Sequence, residues 1–221
     1  MSVKQLLDSC INVIFYSACP LCGREPIKHP LPICRPCEES ILQARVPGPV
    51  FLQGGLRILS CRVYDGSVKE SIKYFKYRHA GNMMRSFERA FDDFTKRNMD
   101  SFLDKDLIVS VPMYPARQRK RTFNQSEVLA KILSGMLSIQ SSSYNLIKTK
   151  DTLHQAELGR RERLSNLKGS FFVTRSELFR DKNILLVDDV MTTGATLEAC
   201  MPEIVGAGAR SVSGLTLART M

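Results

Sequence analysis

The stretch from Ile184 to Thr196 constrains this chain more than any other. Ile184, Leu185, Leu186 and Val187 are four consecutive aliphatic residues, the pattern of a strand buried on both faces of a parallel sheet. Such a strand needs helices on both sides, which makes the fold α/β. Two carboxylates, Asp188 and Asp189, stand at its C-terminal end. A small, hydroxyl-rich Thr192-Thr193-Gly194-Ala195-Thr196 then opens an apolar helix over Leu197 to Val205. In open α/β sheets ligands bind outside the carboxyl ends of the strands. A glycine turn feeding a helix offers free backbone N–H groups to a phosphate. The neighbouring acids need a different partner, and a sugar diol or a magnesium ion suits them. The stretch therefore asks for a phosphorylated sugar. The bland alternative is a strand-turn-helix with two solvated aspartates at the helix start. The Gly-Lys-Ser/Thr of nucleotide triphosphatases is missing, because Ala195 occupies the lysine position.

The run resembles the phosphoribosyl pyrophosphate signature of type I phosphoribosyltransferases: four apolar residues, two acids and a Thr-Gly turn. The rest of the chain reads in the same style. Arg57–Val63 and Leu107–Pro112 are strands, with Tyr144–Lys148, Phe171–Val173 and Ser211–Leu217 as further ones. Gly66–Arg78 is an amphipathic helix with Lys69, Lys73, Lys76 and Arg78 on its polar side. A second, Asn82–Lys96, carries a core stripe of Met83, Met84, Phe87, Phe91 and Phe94. Ser138–Ser143 reads as a polar connection. Pro202 should kink the last helix.

Past the strand at 107–112 come Arg117, Arg119, Lys120 and Arg121, four cations within five residues, before a helix from about Ser126 to Leu137. Arginine is the preferred fork for phosphate oxygens, so this is a candidate pyrophosphate cradle, with a solvated basic face as the alternative. Thr152-Leu153-His154-Gln155, with Arg160, Arg161, Arg163 and Asn166, forms a polar, cation-rich stretch between two strands. It suits a mobile lid over a charged site.

The N-terminal part has another chemistry. Cys19-Pro20-Leu21-Cys22 and Cys34-Arg35-Pro36-Cys37 are two C-x-x-C knuckles separated by eleven residues, the spacing of a structural zinc site; redox dithiols are the alternative. His29 lies between them and could substitute as a ligand, though four cysteines suffice. Six prolines and glycines between Pro20 and Pro36 leave this segment little core of its own, so metal binding would supply much of its folding free energy. Four thiolates against one Zn²⁺ remove two units from the formal net charge of +10, leaving about +8. That excess suits a polyanionic partner. Cys10, Cys61 and Cys200 read as small buried hydrophobes. An odd cysteine count of seven fits a reducing compartment, so the expected location is cytoplasmic. Leu6–Ala18, interrupted by Asp8, Ser9 and Asn12, reads as a short amphipathic helix rather than an export signal, and no apolar stretch approaches the ~20 residues of a membrane span. The 221 residues then divide at Val46-Pro47-Gly48-Pro49 into an N-terminal helix and four-cysteine zinc-finger module over 1–50 and an α/β domain over 57–221.

In order along the chain, the set is paired Cys knuckles, Val-Pro before Arg-x-Arg-x-Arg-x-Phe-Asn-Gln, Thr-x-x-Gln, Arg-x-x-Arg-x-x-Asn and Asp-Asp-Val-x-Thr-Thr-Gly-Ala-Thr. It resembles the ComF family of bacterial competence proteins, a type I phosphoribosyltransferase-like parallel sheet behind a zinc finger, over essentially the whole chain. The resemblance implies that Asp188 and Asp189 hold ribose hydroxyls, directly or through Mg²⁺. It implies that Thr192, Thr193, Gly194, Ala195 and Thr196 hold the 5′-phosphate, and that Arg117, Arg119 and Arg121 face the pyrophosphate. Gln155, Arg160 and Arg163 would belong to the closing loop, and Cys19, Cys22, Cys34 and Cys37 would hold structural zinc. In one position the chain departs from the family: Thr122 stands where a Gly usually precedes Phe-Asn-Gln. If that position needs a positive φ, Thr is strained there and the loop is shaped differently.

The implied function is a phosphoribosyl pyrophosphate- and Mg²⁺-binding protein of DNA uptake in natural transformation, with single-stranded DNA and competence helicase or translocation proteins as partners. The alternatives are a zinc-containing single-stranded DNA-binding module with a vestigial transferase fold, and a nucleobase-salvage phosphoribosyltransferase. Tyr64, Tyr74, Phe75 and Tyr77 among lysines would serve the first of these by stacking, unless they pack in the core. The acceptor half of a transferase site is weaker. Many purine transferases begin the phosphate loop with an acid that handles the base proton, and Thr192 cannot do that at neutral pH. Any hood over an acceptor must come from the cysteine segment or the helices at 66–96.

Overall fold

The computed structural model describes residues 17–24, 26–27, 33–77, 83–152 and 160–221, without the side chains of residues 17, 26, 77, 160, 161 and 163. The cysteine-rich segment contributes two short antiparallel strands, β1 (Ser17–Ala18) and β2 (Pro26–Ile27), then helix α1 (Arg35–Gln43). Strands β3 (Val50–Phe51) and β4 (Arg57–Val63) precede helices α2 (Gly66–Tyr77) and α3 (Met83–Arg97). Strand β5 (Leu107–Ser110) leads to α4 (Pro115–Arg121), α5 (Gln125–Leu137), β6 (Ser141–Ser142) and β7 (Leu146–Lys148). Then come α6 (Arg160–Leu167), β8 (Phe171–Val173), β9 (Asn183–Met191), α7 (Ala195–Gly206) and β10 (Ser211–Arg219). The helix expected ahead of Cys19 lies outside the described residues apart from its last two, Ser17 and Ala18, which form β1.

The main sheet has the order β3-β4-β10-β9-β5-β6, parallel except for the antiparallel edge strand β3. Ile184 and Leu186 of β9 pack into one core with Ile58, Leu107 and Val109, while Leu185 and Val187 pack into the opposite one with Leu59, Cys61 and Ile108. The aliphatic run is thus buried on both faces, as its sequence requires. The second core also contains Val68, Ile72 and Phe75 of α2 and Met83, Phe87, Phe91 and Phe94 of α3, so the helical stripe is core. Phe75 lies edge-on against Phe87 and tilted against Phe123. Cys19, Ile33, Cys34, Cys37 and Ile41 join that core, so the cysteine segment packs as a continuation of it. The guanidinium of Arg62, fully buried, ties the two parts: it donates to Ile41 O (3.1 Å) and Cys61 O (2.7 Å) and pairs with Asp93 (2.9 Å).

Three local expectations are corrected. Phe171–Val173 does not rejoin the main sheet; β8 pairs antiparallel with β7 in a separate two-stranded ribbon. The polar 138–143 connection instead supplies an edge strand, β6, whose Ser141 and Ser142 pair with Ile108 and Val109. The basic 117–121 segment is helical, because Pro115 at the first helical position presets φ for it. Pro202 sits inside α7, which runs on to Gly206.

From β5 the chain crosses outward to β6, and from β9 it crosses the other way to β10, so the β5–β9 line is the topological switch point where a crevice forms. The last β5–β9 register pair is Ser110 with Val187, and Val111 N–H bonds Val187 O at 2.9 Å. Beyond it β9 continues to Met191 paired with β10 alone, which leaves Asp188 and Asp189 on an edge facing the crevice.

Candidate phosphate and diol crevice

The crevice encloses about 510 Å³. Its floor is Asp188, Asp189, Val190, Thr192 and Thr196. One wall is the exit of β5 with Arg117 and Arg121 of α4 and the start of α5; the other is Tyr64 with Lys73 and Lys76 of α2; Lys148 at the end of β7 completes it. Five cations thus surround two carboxylates, a net-positive cleft suited to a polyanion that also presents hydroxyls.

Helix α4 explains which arginines reach it. Residues four apart share a helix face. Arg117 and Arg121 therefore line the crevice together, whereas Arg119 and Lys120 point elsewhere and are exposed. Arg117 is itself held: its Nε pairs with Asp151 Oδ1 at 2.7 Å and an Nη donates to Thr152 O at 2.7 Å, which ties α4 to the start of the expected lid. Gln155 and the side chains of Arg160 and Arg163 lie outside the described residues.

On the floor, Ser126 Oγ donates to Asp188 Oδ1 (2.7 Å), and so does the backbone N–H of Asp189 (2.9 Å). Burial and then the charge of Asp189 push the Asp188 carboxyl up to about 7 against those two hydrogen bonds and Lys76. Lys76 Nζ sits 2.7 Å from Asp189 Oδ2, with the two side chains 19% and 14% exposed. Burial pulls Lys76 down most, but the charge and hydrogen bond of Asp189 together with the charge of Asp188 outweigh it, and the net shift is upward. Burial, and then Arg117, hold Lys148 below the usual lysine range. Asp188, raised in pKa, beside Asp189 paired with Lys76 gives the floor carboxylate oxygens that a diol's hydroxyls can donate to.

The phosphate turn is built around Gly194, the N-cap of α7 at φ 81°. A side chain there would be strained, and its Cβ would collide with Leu52. Thr192 and Thr196 line the crevice, Thr193 Oγ1 accepts from Ala195 N–H at 3.4 Å, and Ala195 is buried at the helix start. Sequence reasoning missed Lys76, Lys148, Ser126 and Gln125 as crevice residues. Only the basic side of α2 gave a signal, since Lys73 and Lys76 at i, i+3 border the apolar stripe of Val68, Ile72 and Phe75. Of the elements from which a hood was expected, α2 lines the crevice, through Lys73 and Lys76.

The four cysteine Sγ atoms lie within 4.8 Å of one another. A tetrahedral ion with Zn–S near ~2.3 Å requires S···S of about 3.8 Å, and Cys22 Sγ to Cys34 Sγ is 3.7 Å. The Cys34 N–H already donates to Cys19 Sγ at 3.4 Å, and Gly23 N–H closes the first knuckle on Cys19 O at 2.7 Å. Burial raises the Cys34 and Cys37 thiols, so a cation is what would ionise them. The donor set fits structural zinc. Cys61 and Cys200 are buried, as expected of small hydrophobes.

The phosphoribosyl transferase domain model matches residues 124–221. The chain is 31% identical to Competence protein ComFC of Bacillus subtilis (strain 168), over 91% of this chain and 78% of that protein. It is 29% identical to the DNA utilization protein YhgH of Salmonella typhimurium (strain LT2), over 93% and 85%. Among solved structures, a crystal structure of adenine phosphoribosyltransferase aligns over 82% of this chain and 89% of that one, with a TM-score of 0.43 and 13% identity.

Proposed function

The chain belongs to the ComF family and carries a type I phosphoribosyltransferase fold behind a four-cysteine cluster, and on that premise we propose that its crevice binds phosphoribosyl pyrophosphate in the service of DNA uptake. The observation that carries this reading is the edge of β9 beyond Val187. It sets an acid pair and a glycine-started helix on one strand end, opposite Arg117 and Arg121. The 5′-phosphate would take the turn from Thr192 to Thr196 and the positive end of the α7 dipole. The diol would take Asp188 and Asp189. The pyrophosphate would take the α4 arginines and Lys148, with Gln155, Arg160 and Arg163 closing over it. Mg²⁺ would arrive with the pyrophosphate; with Asp189 paired to Lys76, the phosphates and Asp188 would be the groups left to hold it. If a transfer takes place, these cations stabilise the departing pyrophosphate. No acid stands at Thr192 to serve an acceptor base.

Competence and DNA use come from the names of the relatives. Calorimetry with phosphoribosyl pyrophosphate, with and without Mg²⁺, tests the crevice: Asp188→Asn with Asp189→Asn should abolish binding, and unaltered binding would sink the reading.

A second reading has its own observation. Arg119 and Lys120 of α4 are exposed outside the crevice lining, in a chain of net charge +10, and suit the backbone of single-stranded DNA. Arg119→Ala with Lys120→Ala should weaken such binding and flatten its salt dependence. Unchanged affinity and slope would exclude that face. Among the described residues no helix is long and apolar enough to cross a membrane.

A further inference from the structure

Three consecutive residues at the start of α5 are buried and polar. Asn124, the N-cap, accepts from Ser126 N–H at 3.1 Å and donates to Val111 O at 3.0 Å, which fixes the helix start to the exit of β5. Ser126 spends its hydroxyl on Asp188. Gln125 between them is 1% exposed and lines the crevice, yet neither its Oε1 nor its Nε2 has a partner among the described residues. A buried carboxamide with both ends unmet bears its full desolvation cost, so a fold that keeps it gains by it in another state.

The same loop bears a second local cost. Thr122, three residues earlier, has φ 67° and ψ −23°, a left-handed conformation that a β-branched residue adopts only under constraint. Costs of this kind concentrate where a ligand makes use of them.

We infer that the Gln125 carboxamide is a ligand-reading group of the crevice that takes sugar hydroxyls of a phosphorylated ribose. A hydroxyl is both donor and acceptor. Each one can accept from Nε2 and donate to Oε1, so both unmet ends of the amide suit it. Gln125 lines the same crevice as Asp188 and Asp189, and the residue that follows it, Ser126, bonds Asp188 directly. The inference rests on the proposed ribose-phosphate reading of the crevice.

The test pairs stability with affinity in full-length protein, using Gln125→Met and, as a second apolar replacement, Gln125→Leu. An amide kept for the ligand is a burden on the unliganded fold, so melting temperature should hold or rise by roughly 2–4 °C. The Kd for phosphoribosyl pyrophosphate should weaken about 10-fold or more, as for loss of a hydrogen bond that leaves polar groups unmet. The Kd for inorganic pyrophosphate, which lacks the sugar, should move less than about 3-fold. Equal weakening toward both ligands overturns the diol assignment. Unchanged affinity for phosphoribosyl pyrophosphate overturns the ligand role, and a large fall in melting temperature or loss of folding in both variants makes the amide structural. A wild-type protein that binds no phosphoribosyl pyrophosphate removes the premise instead, an outcome distinct from wild-type binding that Gln125→Met leaves intact.

Discussion

Replacing Lys76 with Met tests the electrostatics of the crevice floor. The Lys76–Asp189 pair is 2.7 Å long and mostly buried. At an effective dielectric near ~20 the gross attraction is about 6 kcal/mol, most of it offset by desolvation of the ammonium. Losing one partner of a buried pair costs about 3–5 kcal/mol and of an exposed pair about 0–1. A pair that opens onto a crevice falls between, at roughly 2–3 kcal/mol, or a melting temperature lower by roughly 5–10 °C at pH 8. The pH dependence then discriminates. Asp188 has a folded pKa of about 7, above its ordinary value, so the native state binds its proton more tightly and stability falls as pH rises from about 4 to about 7. Lys76 is among the groups that hold that value down. Without it Asp188 moves higher and the fall extends to higher pH. Differential scanning fluorimetry at pH 5 and pH 8 should therefore find a deficit at pH 5 that is less than about half that at pH 8, since a protonated Asp188 no longer repels Asp189. A deficit equal at both pH values would refute the coupling between Lys76 and the acid pair.

Three further outcomes follow from other parts of the molecule. Thr122→Gly should raise stability by about 1 kcal/mol, relief of the left-handed strain exceeding the entropy glycine adds to the unfolded chain; chemical denaturation with an unchanged or lower midpoint would contradict it. Gly194→Ala should cost roughly 2–4 kcal/mol, because φ 81° and the Leu52 side chain both oppose a Cβ, and the same denaturation experiment reads it. Metal analysis should find one zinc per chain, lost in Cys37→Ser together with a several-kcal/mol fall in stability, since Cys19, Cys34 and Cys37 sit in the core shared with α2 and α3. A metal-free wild type of full stability would remove the zinc assignment.

What the sequence disclosed and what it concealed divide along a physical line. The β9–α7 unit was legible because its determinants are local: an aliphatic run that only a strand buried on both faces explains, and a glycine where the backbone turns left-handed. The two C-x-x-C knuckles were legible for the same reason. Lys76 was not, because its meaning depends on Asp189, 113 positions further on, and a lysine on an amphipathic helix looks alike whether it meets water or a carboxylate. Short apolar triplets such as Phe171–Val173 state that they are strands but not which strand they pair with, so β8 joins β7 rather than the main sheet. The basic segment shows the middle case. Its composition announced anion binding, yet only the helical spacing of α4 sorts Arg117 and Arg121 into the crevice and leaves Arg119 and Lys120 exposed outside it. If the two proposed readings both hold, the periodicity of a two-turn helix is what divides one run of cations between a phosphorylated sugar and a nucleic-acid backbone.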